Sequence, residues 1–146
     1  MAITTSGMYW VNFEKALILT LGVSWESTAQ KMFLVTDSVA PNFDTDTFRS
    51  TYTANEVSGT GYDAGGQALV SPVVSISSGM KFDFDDPAWT TSTITNAMAG
   101  VVSSGDATDT ADEMNFLLDF VTAVSTVAGT LTVAINAAGA VTMTAS

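Results

Sequence analysis

Apolar and polar positions along this chain change places in short runs. Val, Ile, Thr, Phe, Tyr and Trp recur in stretches separated by clusters of Gly, Asn, Asp and Ser about every eight to twelve residues. Alternation of this kind suits an extended chain with one face in a core, because successive side chains of a strand point to opposite sides. The pattern predicts strands over Lys15 to Leu21, Gln30 to Asp37, Gln67 to Ser77, Met80 to Phe84, Thr93 to Ser103, Glu113 to Phe120, Thr130 to Ile135 and Ala140 to Thr144. The cleanest is "KFDFDDP", Lys81 to Pro87, with Phe82 and Phe84 on one face and Asp83 and Asp85 on the other. The last two predicted strands flank Asn136-Ala137-Ala138-Gly139, where glycine supplies a positive φ, so the spacing predicts a hairpin. Pro72 has no N–H to give a ladder, which places its neighbourhood at an edge or a bulge. Thr110 to Phe120 opens with a Thr-x-x-Glu capping box and admits a helix. A strand carrying Phe116, Leu118 and Phe120 on one face agrees better with its surroundings.

Between these runs the sequence predicts loops at Ser38 to Arg49, Gly59 to Gly66 and Ser103 to Asp112. The expected fold is all-β, an antiparallel β-sandwich or jelly-roll-like arrangement of about eight to ten short strands with long polar loops. A chain of 146 residues and 15.2 kDa is the size of one domain. Residues 14–146 are read as that domain, and Met1 to Phe13 as an N-terminal arm of the kind that orders on assembly.

Charge narrows the partners. Four basic residues, Lys15, Lys31, Arg49 and Lys81, stand against fifteen acidic ones, for a net charge of -11. Nucleic-acid binding draws on Lys and Arg to displace counterions from phosphates, so four scattered cations disfavour DNA and RNA, and equally an anionic membrane. With no cysteine and no histidine, disulfides, thiol nucleophiles, Cys/His zinc sites and Ser-His pairs are excluded. The first ten residues lack the basic and apolar regions of a signal peptide. Ala16 to Trp25 is too short to span a bilayer, and the uncharged stretch after Asp119 alternates as half-buried strands do, so the chain reads as soluble.

Several motifs invite chemistry. Gly59-Thr60-Gly61-Tyr62-Asp63-Ala64 satisfies G-x-G-x-x-A, with Asp83 and Asp85 about twenty residues on. A strand interrupted by proline follows instead of a helix, so no helix N-terminus awaits a pyrophosphate, and the loop reads as a structural turn. Asp83 and Asp85 on one strand face would lie about 7 Å apart, within glycosidase geometry, but nothing local holds one of them protonated. The same acids resemble a calcium site in their clustering. Asn42-Phe43-Asp44-Thr45-Asp46 opens like a calcium loop, yet Thr47 and Thr53 occupy the positions of the required glycine and bidentate acid. Catalytic, cofactor and metal residues are therefore assigned to none. Trp10, Trp25 and Trp89 offer a sugar platform or, more in keeping with a β fold, core residues. Met8, Tyr9 and Trp10, in an otherwise polar arm, are candidate assembly contacts.

Read together, "KMFLVTDSVAPNFDTDTF", "YTANEVSGTGYDAGGQAL", "KFDFDDPAWTTSTITNAMAGVV" and the final "AINAAGAVTMT" resemble a family of small virion structural proteins of tailed bacteriophages, of the capsid decoration or cement type. The resemblance runs from about Gln30 to Thr144. It implies a non-enzymatic particle component without cofactor, bound to the major capsid protein on the capsid exterior after synthesis in the host cytoplasm. It also implies a homo-oligomer, such as a trimer at local three-fold positions. The family's glycine-tyrosine block carries over to Gly59, Gly61, Tyr62, Gly65 and Gly66 as a structural element. The chain departs from the pattern at Pro87-Ala88 and in its acidic insert, Gly105 to Glu113. A tail, baseplate or fibre component with carbohydrate or host-surface binding is the alternative.

Overall fold

The computed structural model describes residues 3–17, 24–76 and 79–144. Within them the chain is all-β, with every strand pair antiparallel, a single short α-helix and two 3-10 turns, Arg49–Thr51 and Thr53–Asn55. The elements in order are β1 (Gly7–Met8), α1 (Trp10–Leu17), β2 (Lys31–Val35), β3 (Gln67–Ala68), β4 (Val73–Ile76), β5 (Met80–Asp83), β6 (Ala88–Ser92), β7 (Ala97–Ser103), β8 (Met114–Val124), β9 (Gly129–Thr132) and β10 (Val141–Met143). They form three sheets: β1-β8-β7-β2-β3, β10-β5-β4 and the pair β6-β9.

The five-stranded sheet is covered on both faces, and β2, an interior strand between β7 and β3, shows why. Met32, Phe33, Leu34 and Val35 in β2 are all completely buried. Met32 and Leu34 face a core built with Trp25, Phe82, Phe84, Trp89, Val102 and Phe116. Phe33 and Val35 face a second core with Ile3, Tyr9, Val39, Tyr52, Val101 and Leu117. A continuous apolar run, rather than strict alternation, is what burial on two sides requires. The first core is held by aromatic packing: Trp25 and Phe116 both lie against Phe82, at centroid distances of 5.3 and 5.5 Å. Each such ring contributes about 1.5–3 kcal/mol on leaving water.

The strand predicted over Lys15 to Leu21 is corrected. Lys15 to Leu17 end helix α1, while the rest of that run lies outside the described residues. The helix forms because the Tyr9 carbonyl accepts from the N–H groups of Asn12 and Phe13. The buried Asn12 side chain then docks it, donating to the carbonyls of Thr47 at 2.7 Å and Met114 at 2.6 Å. A short apolar run such as Ala16 to Leu21 has no period that separates strand from helix.

Three further expectations change. Thr93 to Asn96 turn instead of extending β7, with Asn96 at φ 56, and a strand the alternation did not predict, β6, precedes them. The run from Gln67 breaks between β3 and β4 around Pro72, leaving β4 at a sheet edge. The terminal hairpin does not form: β9 pairs with β6, and β10 with β5. Its turn survives, with Gly139 at φ 105 donating to the Asn136 carbonyl at 2.7 Å, but it passes the chain between two sheets. Met114 to Phe120 is strand, and Phe116, Leu118 and Phe120 share one core as predicted.

Candidate functional site

The glycine-tyrosine block is a corner locked from inside. A Cβ at Gly66, where φ is +73, would stand 1.8 Å from the Met32 carbonyl oxygen, so the chain passes flush against β2. At Gly59, φ +148, it would meet the Thr93 carbonyl oxygen at 1.9 Å. Between them the buried Tyr62 stacks on Trp89, donates its hydroxyl proton to Glu56 Oε1 at 2.7 Å and accepts from the Leu34 N–H at 2.9 Å. Burial, then the neighbouring Glu56 charge, pushes the Tyr62 phenol above its ordinary range.

Glu56 belongs to a buried ionic knot. Its Oε1 also accepts from the Gly65 N–H at 2.6 Å, and its Oε2 pairs with Arg49 Nη1 at 3.2 Å. The Nε of Arg49 pairs with Asp112 Oδ2 at 3.0 Å. Asp112 accepts in turn from the Ser103 and Ser104 hydroxyls and the Gly105 N–H. The knot ties together three loops distant in sequence: the segment at Arg49, the glycine corner and the acidic insert. Three amides of the loop are not free for a phosphate, because a carboxylate already takes the Gly65 amide, and the Gly66 and Tyr62 amides bond within the loop.

The N-terminal aromatics divide. Tyr9 is wholly buried, its hydroxyl donating to the Tyr52 hydroxyl, which donates to Asp46 Oδ2 at 2.7 Å. It is therefore not an assembly contact; its body fills the second core and its polar end has a partner inside. Burial raises both phenols above the ordinary range. Met8 is half-buried, its strand β1 paired with β8, while Trp10 remains 55% exposed. The described residues of the proposed arm are thus built into the fold.

Phe82 and Phe84 face inward, as the alternation predicts. Asp83 pairs with Lys81 at 2.7 Å, and Asp85 accepts from the Ser71 hydroxyl at 3.2 Å, so each acid has a partner of its own. Asp46, in the calcium-like loop, accepts from the Asn42 N–H and the Tyr52 hydroxyl. Among the described residues no group of three or more acids gathers to hold a metal ion. Trp25 and Trp89 are core residues, so the three tryptophans form no platform.

Sequence reading missed the distal end of β8. Beyond Asp119 the ladder to β7 breaks: Ala99 pairs with Asp119 and Ala97 next with Val124, leaving a wide bulge. Val121, at its crest, is 79% exposed with φ 66, and Val127 in the following turn is 86% exposed. A groove of about 240 Å³ lined by Phe120, Val124, Leu131, Thr132, Val133 and Ala134 adjoins the bulge. The uncharged run after Asp119 was the signal available, but its alternation suggested ordinary half-buried strands.

Comparison with known proteins finds no matching family model, no matching curated protein and no matching solved structure. No described helix is long and apolar enough to cross a membrane.

Proposed function

We propose that the chain is a non-enzymatic virion structural protein, a capsid decoration protein that binds the major capsid protein from outside and stabilises the shell. The observation that carries this reading is the four-segment resemblance over Gln30 to Thr144, centred on the Gly59–Gly66 block. The local structure supports it: the Tyr62 hydroxyl and the Tyr62, Gly65 and Gly66 amides make internal bonds, as a scaffold would use them. A protein that binds only the assembled lattice stabilises that state by mass action, and many weak copies on a symmetric shell act through avidity. Neither effect needs a pocket. An acidic exterior also keeps the chain from binding packaged DNA.

Exposure of Trp10 favours one alternative, a tail, baseplate or fibre component that binds host carbohydrate. Quantitative mass spectrometry of purified particles decides between the two. Decoration gives a copy number near that of the shell protein or a simple lattice fraction of it, and particles stripped of the chain lose thermal stability. A few copies per particle, with host binding abolished by Trp10→Ala, overturns decoration in favour of the alternative.

A further inference from the structure

All fifteen acidic and all four basic residues lie between Glu14 and Asp119, so residues 120–146 carry no side-chain charge in a chain of net charge -11. The fold gathers much of this stretch at the bulged end of β8 and its turn into β9, where Val121, Val124 and Val127 are exposed beside the groove, whose lining carries no charge. Two charged side chains bond at its margins: Asp119, whose carboxylate accepts from the Val121 N–H at 2.8 Å, and Asp86, which accepts from the Ile135 N–H at 2.7 Å.

Two other exposed apolar spots lack this property. At the β4 edge, Val70, Val73 and Ile76 are exposed, but Glu26 bonds the Val74 N–H and Asp85 lies against Val70 and Ser71. Trp10 has Glu14 one turn further along its helix, and its N–H bonds the Phe43 carbonyl next to Asp44. Two copies meeting at either place would bring carboxylates together out of water, where like charges repel most strongly.

We infer that the bulged end of β8, with Val121, Val124 and Val127, is the surface through which two copies of this chain associate. The inference gives a location to the homo-oligomer of the reading above, and its partner is chosen by charge. An acidic chain meets itself at lowest cost where it has no charge to desolvate or oppose. The conformation at Val121 agrees. A β-branched residue in the left-handed region is disfavoured, and here it carries an apolar side chain into solvent. Packing against a second copy would cover it.

Sedimentation velocity of the purified full-length chain, without particles, tests this. Wild type is expected to form a concentration-dependent species larger than the monomer, favoured by added salt because salt screens repulsion between the remaining acids. Val121→Asn combined with Val127→Asp should weaken association about tenfold or more while leaving the circular-dichroism spectrum and cooperative melting intact. Val121→Asn alone guards against misfolding, because Asn tolerates the left-handed conformation; it should weaken association in the same direction. Ile76→Asp should leave association unchanged. A wild type that stays monomeric, association that survives Val121→Asn and Val127→Asp, or loss with Ile76→Asp alone, overturns the inference. The particle copy number is read independently, so a failure here is distinguishable from a failure of the decoration reading.

Discussion

At the scale of single residues, the glycine corner turns on backbone clearance. Gly66→Ala places a methyl group 1.8 Å from the Met32 carbonyl oxygen in a left-handed conformation, and should cost about 2 kcal/mol or more in urea unfolding. Gly65→Ala is strained by its φ of +89, but the nearest atom is the Arg49 guanidinium carbon at 3.6 Å; a cost of about 1 kcal/mol is expected. Equal costs would mean that backbone conformation, and not the approach to β2, makes these positions glycine. Arg49→Met strands two buried carboxylates, Glu56 and Asp112, and should destabilise by about 3–5 kcal/mol. Lys81→Met, at the half-buried, solvent-accessible Asp83 pair, should change stability by about 1 kcal/mol or less. The glycines were legible in the sequence as a corner. Arg49, Glu56 and Asp112 were not, since nothing local relates an arginine to an acid 63 positions away.

At the scale of elements, the sheet edges are where the chain manages its own stickiness. Strand β4 would offer open backbone groups beside the exposed Val73 and Ile76, yet Glu26 Oε1 accepts from the Val74 N–H at 3.1 Å and places a charge on that edge. An acid on an edge strand hinders a second strand from adding to it. Glu26→Ala should therefore leave the melting temperature nearly unchanged but speed thioflavin-positive aggregation on prolonged incubation; an unchanged aggregation rate would show that the edge is protected by other means. Alternation located Met80 to Asp83, where Phe82 enters a core, and most of Met114 to Val124, where Phe116, Leu118 and Phe120 recur at period two against that same core. It missed helix α1, whose placement depends on Asn12 reaching carbonyls 35 and 102 residues away.

At the scale of the whole molecule, the three tyrosines of the chain, Tyr9, Tyr52 and Tyr62, are all buried. Burial raises all three phenols above their ordinary value of 10.0, so the fold favours the neutral form. The sign follows: a raised pKa contributes stability that is complete below the unfolded value and is lost as pH rises above it. Absorbance at 295 nm should show little phenolate near pH 10, then a steep rise coincident with loss of the near-ultraviolet circular-dichroism signal. A smooth titration centred near 10, with the fold intact, would contradict the burial of these rings.

Legible in the amino-acid order alone were the strand-rich character, the inward Phe82 and Phe84, the corner at Gly59 to Gly66 and the charge-free stretch after Asp119. Each of these follows from local alternation, backbone freedom or composition. Long-range packing set which strands pair, that Tyr9 is buried while Trp10 is exposed, that Arg49 meets both Glu56 and Asp112, and that β8 bulges to expose Val121. Those outcomes depend on which distant segments close against one another, and period-two alternation is the same whichever partner a strand takes.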